Sequence, residues 1–380
     1  MANSADVLII GGGVIGLSIA RELHGRGVTV TLAEKSNCGL ESSWAAGGIL
    51  GPQTEAEEAG VFFDMCSRSR DLFPELAAEL LDETGVDIEL ERSGTLYCAF
   101  SGEEESELEQ RFEWQRELGL PVERLSAEQI NLIEPNASPH ARIGLHFPLD
   151  WQVENRKLVA ALEAYSRTVG IDIRENTQVT ELIVDGGRVM GAETSAGRIP
   201  AGKTVVATGA WTSLIKLGPA EFPVKVEPIR GQMICFQSQP GALRHVLYSE
   251  RGYLVPRLDG RVLAGSTLEK VGFEKGVTRD AMEELREMAA KLSPLLADLP
   301  ITESWSGLRP FAADGMPVIG TLAGVENLYV ATAQYRSGIL LAPLTAAIAA
   351  EHLIEGRESD YSKIFGPDRF SSREPVAAAL

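Results

Sequence analysis

Apolar and polar positions change their period twice within the first 34 residues. Residues 6–10, DVLII, form a short apolar run, which predicts a strand that is buried on both faces. The apolar residues of LSIARELHGRG then recur at helical spacing, and VTVTLAE predicts a second strand that ends at Glu34. Strand, helix and strand in this order predict two parallel strands joined by a crossover helix.

Three glycines lie between the first strand and the helix, at Gly11, Gly13 and Gly16, in G-x-G-x-x-G spacing. The first permits a tight turn, the second lets a pyrophosphate approach the backbone, and the third lets the helix pack closely on the strand. The pyrophosphate then lies at the helix N-terminus, where free N–H groups and the helix dipole favour an anion. Glu34 falls where an acidic residue binds the ribose hydroxyls. The segment therefore predicts a dinucleotide site.

The loop after Glu34, KSNCGLESSWAAGGILGP, has no strong strand or helix period. It contains Ser42, Ser43 and the small residues 45–48, which would let the backbone approach a flat ring such as a flavin. An ordinary loop explains the same composition about as well. The composition of this segment leaves the two interpretations open.

The rest of the chain alternates between two kinds of segment. Apolar periodicity predicts helices over about 61–84 and 155–169, and VDIELERSGTLYCAF predicts paired strands that turn at Ser93-Gly94. After Pro223 a second run of antiparallel strands follows, in which the Asp-Gly of LDGR indicates a hairpin turn. No repeat or low-complexity linker separates these segments, so we expect two interleaved and firmly packed domains.

Composition and charge exclude several classes of partner. The 380 residues are 44% hydrophobic, and 35 basic against 54 acidic residues give a formal charge of -19. Nucleic acids and anionic membranes require a basic surface, so neither is an expected partner. The acidic run SGEEESELEQ, residues 101–110, is typical of a solvated helix face. The N-terminal apolar run lacks a basic segment and contains Asp6, which argues against a signal peptide.

Cysteine and histidine spacing favours neither metal nor disulfide chemistry. The four cysteines are scattered without a Cys-x-x-Cys pair, and the five histidines are equally dispersed. No metal site is therefore predicted, and the reducing cytoplasm is the expected location. The sequence also lacks H-E-x-x-H and G-x-S-x-G motifs, so it does not support metal or serine hydrolysis.

The segment AQYRSGILLAP places Arg336 between a predicted strand, LYVATA, and an apolar predicted helix. A buried cation at such a junction is costly unless an anion pairs with it. Either a carboxylate of the protein or an anionic ligand provides that partner. From the residues alone, the two explanations weigh about the same.

Four separated motifs together resemble the D-amino-acid oxidase family of FAD enzymes, and within it the bacterial glycine oxidases. They are VLIIGGGVIGLSIARELHGRGVTVTLAEK, SSWAAGGIL, SGLRPFAADGMPVIG and QYRSGILLAP, and the resemblance runs from Asp6 to about Ile364. It implies FAD and an α/β fold, in which a Rossmann-like FAD-binding domain of the glutathione-reductase type is interleaved with an antiparallel-sheet α+β substrate domain. The FAD is expected to be noncovalent, because no cysteine lies beyond Cys235 to form a thioether with the flavin. The expected FAD-binding domain comprises residues 1–85, 145–220 and 300–365, the substrate-binding domain residues 86–144 and 221–299, and the C-terminal tail residues 366–380.

The resemblance also implies site residues by position. The residues matching Arg336, Arg309 and Tyr253 lie at the substrate side of the flavin, where Arg336 contacts the substrate carboxylate. Competing explanations are an ion pair of Arg309 with Asp314 and an ordinary half-buried strand position for Tyr253. The expected FAD contacts are Gly11, Gly13, Val14, Ile15, Gly16, Glu34, Lys35, Ser42, Ser43, Gly47, Gly48, Ile49, Val179, Gln334, Tyr335, Arg336, Ser337, Gly338, Ile339 and Leu340.

The implied activity is FAD-dependent oxidative deamination of glycine and small amines, such as sarcosine and small D-amino acids. Hydride transfer to flavin N5 needs an unprotonated amine and no protein base at Cα. The products are an imino acid, which hydrolyses to an oxo acid and ammonia, and H2O2. The expected partners are the small substrate, O2 and other copies of the chain. The resemblance also implies a supply of iminoglycine for thiamine thiazole biosynthesis.

Alternatives to this activity remain open. They are a D-amino-acid or hydroxyproline dehydrogenase of the same fold, an FAD-fold tRNA-modifying protein, and a nucleotide-binding sensor. Gln334 stands where glycine oxidases commonly have histidine, which bears on the reaction with oxygen. Leu268, in AGSTLEK, is a candidate for limiting the size of the substrate.

Overall fold

The computed structural model describes residues 5–370. In chain order the strands are β1 (Ala5–Ile10), β2 (Val30–Ala33), β3 (Ile49–Leu50), β4 (Thr95–Ala99), β5 (Glu123–Ser126), β6 (Ile143–Phe147), β7 (Trp151–Gln152), β8 (Asp172–Arg174), β9 (Val179–Asp185), β10 (Arg188–Thr194), β11 (Gly197–Val206), β12 (Lys216–Leu217), β13 (Ala220–Glu221), β14 (Val226–Gln237), β15 (Val246–Ser249), β16 (Gly252–Pro256), β17 (Arg261–Gly265), β18 (Ile301–Ala312), β19 (Val318–Thr321) and β20 (Leu328–Thr332).

The α-helices are α1 (Val14–Gly25), α2 (Ser42–Ala45), α3 (Pro52–Glu55), α4 (Val61–Asp71), α5 (Phe73–Thr84), α6 (Gly102–Glu117), α7 (Ala127–Ile133), α8 (Asn155–Thr168), α9 (Arg279–Leu292), α10 (Gly338–Glu355) and α11 (Asp360–Phe365). Short 3-10 turns occupy Gly209–Leu214, Pro294–Leu296 and Pro367–Phe370. Of the predicted C-terminal tail, residues 371–380 lie outside the described residues.

The first sheet contains the predicted nucleotide unit. Its parallel strands lie in the order β8-β2-β1-β11-β20, and β19 adds an antiparallel edge. The long β11 pairs in parallel with β1 through its C-terminal half and antiparallel with β10 through its N-terminal half. It therefore joins the β9-β10 hairpin to the parallel strands. Helix α1 crosses from β1 to β2, as the N-terminal pattern predicts.

The second sheet is antiparallel except for one pair. Its order is β18-β14-β17-β16-β15-β4-β6-β5, with β4 and β15 parallel. The Asp-Gly turn of LDGR joins β16 to β17 as predicted, and β14 pairs with β18 over almost its whole length. Helix α9 covers one face of this sheet through Leu285, Met288 and Leu292.

A mostly parallel sheet with crossover helices beside an antiparallel sheet confirms the predicted fold class. The predicted domain boundaries remain a proposal, and the strand pairing moves two of them. The prediction assigns residues from 300 onward to the FAD-binding domain, whereas β18 belongs to the second sheet because it pairs with β14. Strand β6 crosses the predicted boundary at 145 for the same kind of reason, since it pairs with β4 and β5.

The helix predicted over 61–84 is two helices, α4 and α5. The chain breaks between them because Pro74 has no N–H to donate to the carbonyl of Arg70. The other predicted helix, over 155–169, corresponds closely to α8. Local periodicity therefore predicted the helical segments, while the proline set their ends.

The predicted hairpin around Ser93-Gly94 is wrong. Only its second half forms a strand, β4, and residues 86–92 run beside β7 instead. There Glu91 and Gln152 exchange backbone hydrogen bonds of 2.9 and 3.0 Å. The partner of this segment is distant in the chain, so the local alternation could not identify it.

Helix α10 lies in the core and packs against α1 and α4. It buries Leu341, Ala349 and Ala350 completely. By length and composition it is the one helix of residues 5–370 that is apolar enough to cross a membrane, but 61% of it is buried inside the protein. Its apolar character is therefore accounted for by packing within the fold.

Candidate active site

A cavity of about 250 Å³ is lined by residues from both sheets. Every predicted site residue except Gly16 lines this cavity, although they come from distant parts of the chain. Leu268 is not among the lining residues, and 51% of its surface is exposed, so the prediction that it limits substrate size is wrong. Leu268 lies in the loop that follows β17.

The glycine loop has the geometry that its motif predicts. Gly11 has a φ of +108°, and a Cβ atom there would lie 2.4 Å from the Ala207 carbonyl oxygen. A Cβ atom at Gly16 would lie 1.9 Å from the Gly11 carbonyl oxygen, so α1 packs directly on the loop. At the first turn of α1, the N–H of Val14 donates to Ser43 Oγ at 3.0 Å. The N-terminus of α1 therefore opens onto the cavity, where its dipole favours an anion.

Glu34 directly follows β2 and is almost fully buried at the cavity wall. Its carboxylate accepts hydrogen bonds from the backbone N–H of Gly12 at 2.8 Å and of Ser36 at 3.0 Å. Beside it, Lys35 pairs with Glu41 at 2.9 Å. The acidic side chain predicted at the end of the second strand is therefore held in place by the glycine loop.

The small-residue loop is fixed against the second sheet. Buried Arg257 donates to the carbonyl of Gly47 at 2.9 Å and to that of Val153 at 2.8 Å. Gly48 has a φ of +73°, and a Cβ atom there would lie 2.1 Å from the Val153 carbonyl oxygen. Since residues 45–49 also line the cavity, the structure favours a cavity wall over an ordinary loop.

The segment before α10 makes a sharp turn at the cavity. Ala333 and Tyr335 have φ values of +58° and +47°, a region that costs free energy for residues other than glycine. Between them, Gln334 lines the cavity and is only 4% exposed. Its amide nitrogen has no hydrogen-bond partner within the described part of the chain. A buried donor in this state is suited to an acceptor on a ligand.

Arg309 reaches the cavity from β18. Its Nη2 donates to Ser266 Oγ at 2.5 Å and its Nη1 to the Thr267 carbonyl at 3.2 Å, and no carboxylate among residues 5–370 pairs with it. The competing ion pair with Asp314 does not form, because Asp314 pairs with Arg369 at 2.7 Å. Arg309 therefore brings an uncompensated positive charge to the cavity.

Arg336 is paired within the protein. Its Nε lies 2.9 Å from Glu55 Oε2 and its Nη2 lies 3.0 Å from Glu55 Oε1. Nη2 also donates to the Tyr248 hydroxyl at 2.7 Å, and that hydroxyl donates to Glu55. The side chains of Arg336 and Glu55 are 41% and 33% exposed, so a ligand in the cavity can reach both. Of the two explanations for Arg336, the structure shows the internal carboxylate.

This cluster of three residues, Arg336, Glu55 and Tyr248, shifts the pKa values of its members in a consistent way. The negative charge of Glu55 raises the pKa of Arg336. Desolvation raises the pKa of Glu55, but the charge and hydrogen bonds of Arg336 outweigh it and lower the pKa overall. Burial, followed by the Glu55 charge, raises the pKa of Tyr248 well above its usual value. At neutral pH the cluster is therefore a carboxylate–guanidinium pair with a neutral tyrosine.

Tyr253 lines the cavity beside Tyr248. The two residues lie opposite each other in the β15-β16 hairpin, with ring centres 5.5 Å apart. The Tyr253 hydroxyl makes long contacts, 3.4 Å to Ser266 Oγ and 3.6 Å to Met233 Sδ. Tyr253 is half-buried in its strand, which agrees with an ordinary strand position. Among the described residues its hydroxyl makes only these long contacts, so it can also bind a ligand beside Arg309.

Three residues at this site, Glu55, Tyr248 and Ser266, were not predicted from the sequence. A signal for Tyr248 was present, because two tyrosines flank the two-residue turn of YSERGY and must therefore share one face of a hairpin. No comparable signal exists for Glu55, which lies 281 positions before Arg336.

The short helix α3, which carries Glu55, is held on both sides by polar groups. Asp150 accepts hydrogen bonds from the backbone N–H and the hydroxyl of Thr54, both at 2.6 Å. On the other side, Arg111 of α6 donates to the Thr54 carbonyl at 2.6 Å. Gln115, also in α6, accepts a hydrogen bond of 2.8 Å from the side chain of Gln53. These contacts fix the backbone at Glu55, and Arg336 and Tyr248 hold its carboxylate.

We expect Asp150→Asn to lower the free energy of unfolding by about 1–3 kcal/mol, because the new amide nitrogen would face N–H groups that need an acceptor. Burial raises the pKa of Asp150 to about 6. The folded protein therefore binds this proton more tightly than the unfolded chain, and the stability it contributes is lost as the pH rises from about 4 through 6. In urea unfolding, the free energy of unfolding of the wild type minus that of the variant should therefore fall across this range.

The control for this measurement is Asp172→Asn, since the Asp172 side chain is 49% exposed. It should change the free energy of unfolding by less than about 0.5 kcal/mol. An Asp150 variant that is as stable as this control would contradict the role of Asp150 in holding α3.

The family of the chain follows from a comparison with known proteins. The family described as DAO, FAD dependent oxidoreductase, matches residues 6–352. The chain belongs to the DAO family. This confirms the resemblance and identifies the protein as an FAD-dependent oxidoreductase, with FAD as its cofactor.

Individual DAO-family relatives match almost the whole chain. A glycine oxidase of Pseudomonas aeruginosa is 35% identical, with 93% of this chain and 96% of that protein covered. The bifunctional protein ThiO/ThiG of Trichormus variabilis is also 35% identical, and the match covers 97% of this chain and 55% of that protein. The crystal structure of glycine oxidase from Geobacillus kaustophilus matches with a TM-score of 0.92 at 31% identity, covering 97% and 99% of the two chains.

Proposed function

We infer that this enzyme oxidises glycine and other small amines, such as sarcosine and small D-amino acids. The observation that carries the proposal is Arg309, a guanidinium that reaches the cavity without a carboxylate partner in the described chain. A guanidinium matches a carboxylate through two parallel hydrogen bonds. The glycine oxidases among the relatives support an amino-acid substrate.

We assign the substrate carboxylate to Arg309, with the Tyr253 hydroxyl as a second donor. The resemblance favours Arg336 for this contact, but Glu55 already occupies the two donors that Arg336 would direct at a carboxylate. Both terminal nitrogens of Arg309 carry a second hydrogen beyond those used on Ser266 and Thr267. Arg309 is therefore the better carboxylate anchor, and Arg336 is a second cation in the same pocket.

The cavity fits FAD on observations of this structure. The glycine loop and the N-terminus of α1 would hold the pyrophosphate, Glu34 the ribose, and Gln334 with the N-terminus of α10 the ring. Two observations support this arrangement. The amide donor of Gln334 is unpaired within residues 5–370, and the backbone at Gly48 packs too closely to leave room for a Cβ atom. FAD, once bound, supplies the two-electron acceptor for the substrate's Cα–H. No cysteine of the described residues lines the cavity, which supports noncovalent binding.

The protein's own contribution to the reaction is orientation. Arg309 and Tyr253 would hold the substrate so that its Cα faces the flavin, which supplies much of the rate enhancement available to such a reaction. The substrate loses two electrons and two protons to become an imine, and water then hydrolyses the imine. Glycine, water and O2 thus give glyoxylate, ammonia and H2O2.

The proposed biological setting follows from the relatives. In the ThiO/ThiG relative, the region matched by this chain is joined to a second protein part. We propose that this enzyme supplies iminoglycine for thiamine thiazole biosynthesis in the cytoplasm. Its partners are then a small amine and O2, and we expect the chain to self-associate.

An anaerobic titration of the purified yellow protein tests the proposal. Glycine, sarcosine, D-alanine and D-proline are added in turn while the visible flavin absorbance is followed, and air is then readmitted. We expect glycine and sarcosine to bleach the flavin and air to restore its colour with the release of H2O2. If the colour returns only with an added quinone, the acceptor is not O2 and the dehydrogenase alternative applies. If none of the four amines bleaches the flavin, the proposed substrate class is wrong.

A further inference from the structure

The substrate end of the cavity contains two arginines, of which only one is paired with a carboxylate within the described residues. Arg309 has no carboxylate partner among residues 5–370 and contacts a hydroxyl and a carbonyl instead. Arg336 has its Nε and Nη2 bound to the two oxygens of one carboxylate, that of Glu55. The pocket therefore offers one free cationic anchor and one that is neutralised.

Glu55 is held in this position by the surrounding structure. Desolvation acts against its charged form, but Arg336 and the Tyr248 hydroxyl stabilise the carboxylate. The backbone of its helix is fixed by Asp150 on one side and Arg111 on the other. The negative charge of Glu55 is therefore fixed in the pocket. Its side chain is 33% exposed, so a ligand in the pocket can contact it.

We propose that Glu55 is a specificity-determining residue that restricts the pocket to amines carrying a single carboxylate. The inference rests on the proposed function, in which Arg309 binds the carboxylate of the substrate. A second carboxylate on the same molecule would be drawn toward Arg336 but would meet the negative charge of Glu55. Like charges placed together at a binding site repel each other, so such a ligand would bind more weakly than one with a single carboxylate.

Replacing Glu55 by glutamine tests this directly. Gln keeps the size of the side chain and one oxygen that can accept from Arg336, but it removes the charge that opposes a second carboxylate. The substrates are sarcosine, with one carboxylate, and iminodiacetate, the secondary amine with a carboxymethyl group in place of the methyl group. We expect kcat/KM for iminodiacetate divided by that for sarcosine to rise about tenfold or more in Glu55→Gln.

A binding measurement separates recognition from turnover. Malonate and acetate are not oxidised, and each perturbs the absorbance of a flavin when it binds beside the ring. We expect Glu55→Gln to tighten malonate binding about tenfold more than acetate binding. Glu57→Gln is the matched control, because Glu57 lies on the same segment, is exposed, and loses the same charge. It should leave both ratios at the wild-type values.

The outcomes distinguish this inference from the proposed function. If the wild type is active on sarcosine but both ratios are unchanged in Glu55→Gln, Glu55 does not set specificity, and the proposed function stands. If Glu57→Gln shifts the ratios equally, the effect is one of general charge and the inference is wrong. If the wild type oxidises no amine, the proposed function fails, and the malonate-to-acetate ratio alone then decides whether Glu55 excludes a second carboxylate.

Discussion

Arg309→Met is expected to lower kcat/KM for glycine by about thirty-fold to several thousand-fold. Removing one member of a hydrogen-bonded charge pair costs about 2–5 kcal/mol, and each 1.4 kcal/mol is about tenfold. Methionine matches much of the length of arginine but has neither the charge nor the donors. Because the free enzyme uses Arg309 only on Ser266 and Thr267, the loss should fall on the substrate complex.

Steady-state kinetics with glycine, together with the flavin-reduction titration, would measure this loss. Arg309→Lys retains the charge but cannot form two parallel hydrogen bonds to a carboxylate. Its activity should therefore lie between those of the methionine variant and the wild type. Arg198→Met removes an exposed arginine that does not line the pocket and should leave kcat/KM unchanged. If Arg336→Met loses activity while Arg309→Met does not, the carboxylate anchor is Arg336, and the assignment based on free charge is wrong.

Gly16→Ala is expected to destabilise the protein by about 3 kcal/mol or more and to release most of the bound FAD. A Cβ atom at this position would lie 1.9 Å from the backbone oxygen of Gly11 and 3.3 Å from the side chain of Ile9. Neither group can yield easily, because the first is backbone and the second lies in a buried strand. Helix α1 would have to move away from β1, and the anion site at its N-terminus would move with it.

Thermal unfolding and the ratio of flavin to protein absorbance would measure the two effects together. Gly25→Ala is the matched control, since Gly25 is the last residue of the same helix and a Cβ atom there would meet nothing within 4 Å. That variant should retain its flavin and be at least as stable as the wild type. Full retention of FAD in Gly16→Ala would show that the glycine loop does not position the cofactor.

Local patterns predicted much of the fold and the glycine loop that lines the cavity. The change of period at the N-terminus gave β1, α1 and β2, and the glycine spacing gave the loop between them, because these elements are adjacent in the chain. The partner of residues 86–92 was not predictable in this way, since β7 lies about 60 positions away. The pairing of β18 with β14 was not predictable for the same reason, because the two strands are far apart in the chain.

The substrate end of the site was only partly predictable. Arg309, Arg336 and Tyr253 came from motifs in the family resemblance, and all three line the cavity. The sequence did not indicate which acidic residue pairs with which arginine. In the structure Asp314 pairs with Arg369, and Glu55 pairs with Arg336. These choices depend on distances between residues that are far apart in the chain, so no spacing or period encodes them.

With the role proposed for Glu55, the contacts between α6 and α3 would give a surface helix an indirect influence on substrate choice. Most of α6 is an acidic, solvated surface, but Arg111 and the fully buried Gln115 hold the turn that presents Glu55 to the pocket. A substitution on the inner side of α6 would then change which amines are accepted without altering any residue that touches them. Efforts to evolve new substrate ranges in this scaffold should include that helix among the positions they vary.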